Sequence, residues 1–291
     1  MKKNFLRTAA LLLAFLLLCP LAAQAETVVT SFYPVWIITL NLTEGIDELN
    51  VVNLTESAGG CLHDYSLQPS DKVALSGADA LLINGAGMES FLDVVLRDLP
   101  DLPVVDASQG IALMETDEED EFNSHIWLDP QNVVKMASNL AEGLIGRFPA
   151  CEEKLRANLA AYQERIEALR DAMRQAFGEA SLPDVVVFHE ALPYFARACD
   201  LPVLATVCKE PEEDLSASQL VRILELIRAC DPLPLILKST ETDRASEVLA
   251  AETGAPVCEL DTLVSGPAAP PLDYYESVML RNLDAVLEKT R

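Results

Sequence analysis

The sequence predicts an α/β protein of two lobes, each a mostly parallel sheet with flanking helices, joined by one long rigid backbone helix. Three observations carry this. Short apolar runs alternate with amphipathic segments along most of the chain, the βα rhythm of a parallel sheet covered by helices. Midway, Leu155, Leu159, Tyr162, Ile166, Leu169 and Met173 recur at spacings of four and three. They make one apolar stripe on a helix of about 25 residues, roughly 38 Å long. The rhythm then resumes, and neither half carries a Gly-rich dinucleotide loop, a Walker phosphate loop or a G-x-S-x-G elbow.

Residues 1–25 read as an export signal. Lys2, Lys3 and Arg7 precede an apolar run at 9–18, and Ala23-Gln24-Ala25 has the small-x-small pattern of a cleavage site. The run is too short to span a membrane, and no later stretch approaches about 20 apolar residues. Cys19 raises lipid anchoring, but Leu18 stands where a small residue would be expected. The first lobe, 26–149, is read as strands at 28–32, 50–54, 80–83 and 104–105, with helices at 36–42, 71–76 and 89–96. A further helix at 130–148 has Asp129 before Pro130 at its start, a favourable entry pair. Residues 150–177 form the linking helix. Its stripe covers only about three heptads, which suits packing against its own lobes better than a coiled coil. The second lobe, 178–291, is read as strands at 185–188, 203–207, 235–237 and 257–260. Its helices are placed at 191–199, 217–229, 243–252 and 274–289.

The chain has 291 residues, 21 Lys plus Arg against 46 Asp plus Glu, and a formal net charge of −25. Loss of the signal removes three basic residues and no acids, leaving −28. Nucleic acids and anionic membrane faces attract basic surfaces, so neither is an expected partner. Six Cys follow the signal, at 61, 151, 199, 208, 230 and 258. No CxxC pair occurs, which argues against a thiol redox enzyme or a four-cysteine zinc site. An exported chain permits disulfides, and one bridge is expected in the C-terminal half.

Only three His are present, and all lie beside strand ends or sheet edges. His63 follows the second strand and Gly59-Gly60. His125 precedes Ile126-Trp127-Leu128-Asp129-Pro130, and His189 ends the strand at 185–188. Asp261 ends the strand at 257–260 in the same manner. C-terminal strand ends line the binding crevice in open α/β sheets, so a cleft between the lobes would bring two residues from each. Three imidazoles and one carboxylate suit tetrahedral Zn2+. Spacing alone does not force the four into one site, since they span about 200 residues.

These stretches resemble the metal-binding solute-binding proteins of bacterial ABC importers for zinc and manganese. Residues 61–71, Cys-Leu-His-Asp-Tyr-Ser-Leu-Gln-Pro-Ser-Asp, are similar to the family's Pro-His-x-Tyr-x-x-x-Pro-Ser-Asp stretch. His125-Ile126-Trp127-Leu128-Asp129-Pro130 matches its His-x-Trp-Leu-Asp-Pro signature. The segment from His189 to Phe195 resembles the stretch after the backbone helix, and Leu260-Asp261-Thr262-Leu263 the Leu-Asp-Pro-Leu stretch. The resemblance implies metal ligands at His63, His125, His189 and Asp261. It also implies capture of Zn2+ between the lobes and delivery to an ABC permease in the cytoplasmic membrane by a monomeric, non-catalytic periplasmic receptor. The third ligand is typically His in zinc members and Glu in manganese members; here it is His189, followed by Glu190. Manganese prefers more oxygen ligands, so a manganese receptor is the alternative.

The departures are Leu62 before the first ligand, Thr262 after Asp261, Cys61 two before His63, and a strand at 235–237 without the usual aromatic and Glu-Pro pattern. Residues 115–121 hold six acids where zinc members often carry a His-rich loop. They read as a solvated loop or as weak cation capture at the cleft mouth. An exported zinc hydrolase, with Glu190 as base, would need an open coordination position that four protein ligands close. An adhesin that keeps the fold is a further reading. Trp36 is expected in core packing, and Trp127 to fix the loop holding His125.

Overall fold

The structure, a computed structural model, describes residues 25–55, 65–116, 122–178, 182–207, 216–240 and 244–290. The expected signal segment and Cys19 lie outside them. Two four-stranded sheets are present, every neighbouring pair parallel. The first contains β1 (Glu26–Thr30), β2 (Leu49–Asn53), β3 (Ala80–Ile83) and β4 (Val104–Asp106), in the order β2-β1-β3-β4. Helices α1 (Tyr33–Leu42), α2 (Pro69–Ser76), α3 (Asp93–Asp98) and α4 (Pro130–Arg147) accompany it. The spine helix α5 (Glu152–Gln175) leads to the second sheet. That sheet holds β7 (Val185–Phe188), β8 (Val203–Thr206), β9 (Leu235–Ser239) and β10 (Val257–Leu260), in the order β10-β9-β7-β8. Helices α6 (Leu192–Ala198), α7 (Ala217–Arg228), α8 (Arg244–Thr253) and α9 (Tyr274–Thr290) complete the lobe.

Strand alternation sorts the core. Val28, Ala80 and Leu82 face one side of the first sheet, and Val29 and Leu81 face the other. In the second sheet Val185 and Val187 oppose Val186 and Phe188. Both faces are covered by apolar contacts, which explains strands that read as continuous apolar runs. The inner faces merge into one core that includes Leu155, Tyr162, Ile166, Leu169 and Met173 of α5. The predicted stripe is thus the seam by which the spine grips both lobes. Arg165, also on α5, bonds Asn41 of α1 and lies 3.4 Å from Glu276 of α9.

Four features differ from expectation. Helix α1 begins at Tyr33 rather than 36, with Pro34 in its first turn, where a missing N–H costs nothing. The helix expected at 89–96 divides into a 3-10 turn at Ser90–Leu92 followed by α3. A small antiparallel pair, β5 (Met114–Glu115) and β6 (Phe122–Asn123), flanks the acidic run, of which 117–121 lie outside the described residues. No disulfide forms among the described cysteines: Cys151, Cys199, Cys230 and Cys258 are free thiols, and Cys208 lies outside the described residues. Cys199 and Cys258 sit inside the core as small apolar fillers. No helix among the described residues is long and apolar enough to cross a membrane.

A shared core predicts shared unfolding. Ile166→Ala should cost about 2–5 kcal/mol, because Ile166 is fully buried. Urea unfolding followed by probes in each lobe should give coincident transitions. Separate transitions would contradict a continuous core.

Candidate metal centre

Parallel strands place all C-terminal ends of a sheet on one edge. In the first sheet the chain leaves β1 toward β2 and returns to its other side as β3. In the second it leaves β7 toward β8 and returns as β9. Such switch points open crevices at the carboxyl ends of the strands. His189 follows β7 directly, at the switch point of its sheet, and Asp261 follows β10.

His125 reaches the seam differently. It precedes a 3-10 turn, Ile126–Leu128, that feeds α4. Asp129 caps α4, its Oδ1 accepting from the Gln131 N–H at 2.8 Å. The other oxygen of that carboxylate accepts from Arg197 Nε of α6 at 2.8 Å. Trp127 is fully buried, stands edge-on to Phe32, and donates its indole N–H to the Thr262 carbonyl at 2.8 Å. Its own carbonyl accepts from the Tyr275 hydroxyl at 2.8 Å. The Tyr194 hydroxyl donates to the Asn123 carbonyl at 2.9 Å and accepts from the Met114 N–H at 3.1 Å. Burial holds the Tyr194 and Tyr275 phenols above their ordinary pKa, so both stay neutral donors.

The seam brings the rings of His125 and His189 to 5.8 Å between centroids, edge to face, and His125 to 5.1 Å from Trp127. His125 is 1% exposed, and His189 is half-buried. Asp261 Oδ1 accepts from the Leu263 N–H at 2.8 Å, and its Oδ2 lies 3.9 Å from Arg281. Asp261 does not join the two rings in a group of three or more metal-binding side chains among the described residues. His63 and Cys61 lie outside those residues. Nearby, the Tyr65 hydroxyl donates to Asp71 Oδ2 at 2.7 Å, which ties the chain two residues past His63 to α2. Trp36 packs against the core and also lines a cavity of about 150 Å³ with Tyr33, Asn53, Thr55 and Gly266.

Sequence reasoning missed Glu89. It is buried, and its Oε1 accepts from the Ser31 hydroxyl and the Asn84 N–H, both at 2.7 Å. Its Oε2 accepts from the Gly85 N–H at 3.0 Å. The carboxylate holds the ends of β1 and β3 together, and Asn84 in turn donates to the Ser124 carbonyl beside His125 at 2.9 Å. A lone Glu in an amphipathic stretch gives no signal of this. Burial raises its pKa from 4.5 to about 7, against the lowering effect of its three donors. The folded state therefore keeps a proton that the unfolded state has lost between those values. The stability of wild type minus that of Glu89→Gln should fall as pH rises through this window. A pH-independent difference in denaturation midpoints would contradict the assignment.

Comparison with known proteins places these observations. Residues 28–289 match the family "ZnuA: Zinc-uptake complex component A periplasmic". The chain is 26% identical to the zinc-binding lipoprotein AdcA of Streptococcus pneumoniae, over the whole chain but only 61% of that protein's length. The crystal structure of Zn(II)-bound AdcA superposes with a TM-score of 0.75 at 26% identity, covering 91% of this chain and 58% of that one. The manganese-binding lipoprotein MntA of Halalkalibacterium halodurans is 25% identical, over 76% of this chain and 75% of its own length. The iron-binding protein YfeA of Yersinia pestis is 27% identical, over 97% and 96%. With two parallel sheets linked by one spine helix, a family match over residues 28–289, and relatives named for zinc, manganese and iron, the chain belongs to the metal-binding solute-binding protein family of ABC importers.

Proposed function

We propose that this chain is a periplasmic receptor that captures Zn2+ between its lobes, through His63, His125, His189 and Asp261, and hands it to an ABC permease of the cytoplasmic membrane. The observation that carries this reading is the pairing of His125 and His189 at 5.8 Å across the seam, one from each lobe. Imidazole nitrogens suit Zn2+ better than Mn2+, which prefers oxygen donors. A third imidazole from His63 and a carboxylate from Asp261 would close a tetrahedral site. A closed site leaves no position for an activated water, so the reading is of a carrier and not of a hydrolase.

The chain acts on the ion through binding alone. The seam holds His125 and His189 before metal arrives, which reduces the ordering that binding would otherwise require. The net charge, −28 once the signal is lost, raises the local concentration of cations around the molecule without selecting among them. Selection rests on the donor atoms.

Competitive titration with a chromophoric chelator tests the reading. The chain should bind Zn2+ at one site and prefer it to Mn2+. His189→Ala should weaken Zn2+ by more than about 100-fold, beyond the 10–100-fold typical of a residue that only supports a ligand. A preference for Mn2+, or unchanged zinc affinity in the variant, would overturn it.

A further inference from the structure

The side-chain amide of Asn123 has one obligate partner at each end. Its Oδ1 lies 2.9 Å from the backbone N–H of His125, which can only donate. Its Nδ2 lies 2.6 Å from the carbonyl oxygen of Glu190, which can only accept. Reversing the amide would set donor against donor and acceptor against acceptor, so its orientation is fixed by chemistry. The same Oδ1 lies 3.1 Å from His125 Nδ1. An amide oxygen only accepts, so neutral His125 carries its proton on Nδ1 and its lone pair on Nε2.

At His189 the sense is reversed. Its Nδ1 lies 3.1 Å from the backbone N–H of Ala191, which can only donate. The lone pair is therefore on Nδ1, and the neutral ring carries its proton on Nε2.

We propose that Asn123 is the positioning residue of the site, and that the two histidines rest in opposite tautomers, His125 preset for coordination and His189 latched. Asn123 sets the His125 tautomer with its oxygen and holds the His189 loop with its nitrogen, through the Glu190 carbonyl. The inference rests on the metal-site reading for its purpose, but not for its geometry. His189 pays for coordination by either nitrogen. Binding through Nδ1 takes the lone pair that Ala191 uses. Binding of a neutral ring through Nε2 requires that proton to leave to water and another to arrive at Nδ1, where it opposes the Ala191 N–H. Net charge is unchanged, and the Ala191 hydrogen bond is lost on both routes. His189 is thus the ligand whose local rearrangement accompanies capture and release.

The test is long-range 1H–15N correlation of 15N-histidine-labelled protein, metal-free and with the imidazoles neutral. Three His allow assignment by single substitutions. His125 should show the Nδ1–H pattern and His189 the Nε2–H pattern. Addition of Zn2+ should leave the His125 tautomer in place and remove the His189 pattern. N123L should release His125 to tautomer averaging and weaken Zn2+ by about 10–100-fold. N123D keeps the acceptor for His125 but sets an oxygen against the Glu190 carbonyl, so it should retain the His125 pattern while its zinc affinity stays below wild type. The same tautomer at both rings of metal-free wild type, or an unaltered His125 pattern in N123L, would overturn the proposal. Opposite tautomers without any metal binding would support this assignment and overturn the receptor reading alone. The wild-type spectrum and N123D keep the test decisive should N123L fail to fold.

Discussion

The segment from Asn123 to Asp129 is the constraint on which the rest of the structure depends. By chain order it belongs to the first lobe and ends by capping α4. By hydrogen bonding it belongs equally to the second. Tyr194 and Tyr275 donate to its carbonyls, Thr262 receives its indole N–H, Glu190 receives its amide, and Arg197 binds its terminal carboxylate. These groups are mostly buried, where a lost partner costs more than a made bond contributes. Parting the lobes here would strand several donors and acceptors at once. Histidine placement follows from that: His125 is carried on the segment itself, and His189 opens the loop the segment grips.

The spine helix supplies the second half of the same argument. Its apolar stripe enters a core shared by both lobes, and Arg165 reaches one partner on each side. A helix packed this way resists the bending that a wide hinge motion needs. On the proposed reading, capture and release then fall to small groups near the cleft, such as the His189 ring. The surplus of acid raises the concentration of cations around the whole chain without selecting among them.

Much of the fold was legible in the sequence because it is written in local periodicity. Strands covered on both faces read as apolar runs, and the α5 stripe reads directly as spacings of four and three. The approach of His125 to His189 was legible from their places before a helix cap and after a strand, while Asp261 stands at its expected strand end without joining them and His63 lies outside the described residues. What escaped reading is non-local. Asn123, Tyr194, Arg197 and Tyr275 are ordinary residues until the lobes meet, and Tyr275 finds its acceptor 148 residues away. Glu89 is hidden for the same reason. The β5–β6 pair has two-residue strands, too short for any periodic signal. Among the described residues the expected bridge between the later cysteines is absent: export permits a disulfide without requiring one, and Cys199 and Cys258 are buried as core filler.

If the Asn123–Asp129 segment and the spine bind both lobes as one body, the overall shape does not depend on the ion. Small-angle X-ray scattering of the chain from Glu26 onward, metal-free and with Zn2+, tests this directly. The account predicts superimposable curves and the same radius of gyration in both states. A larger radius in the metal-free protein would show that the lobes part, and would contradict it.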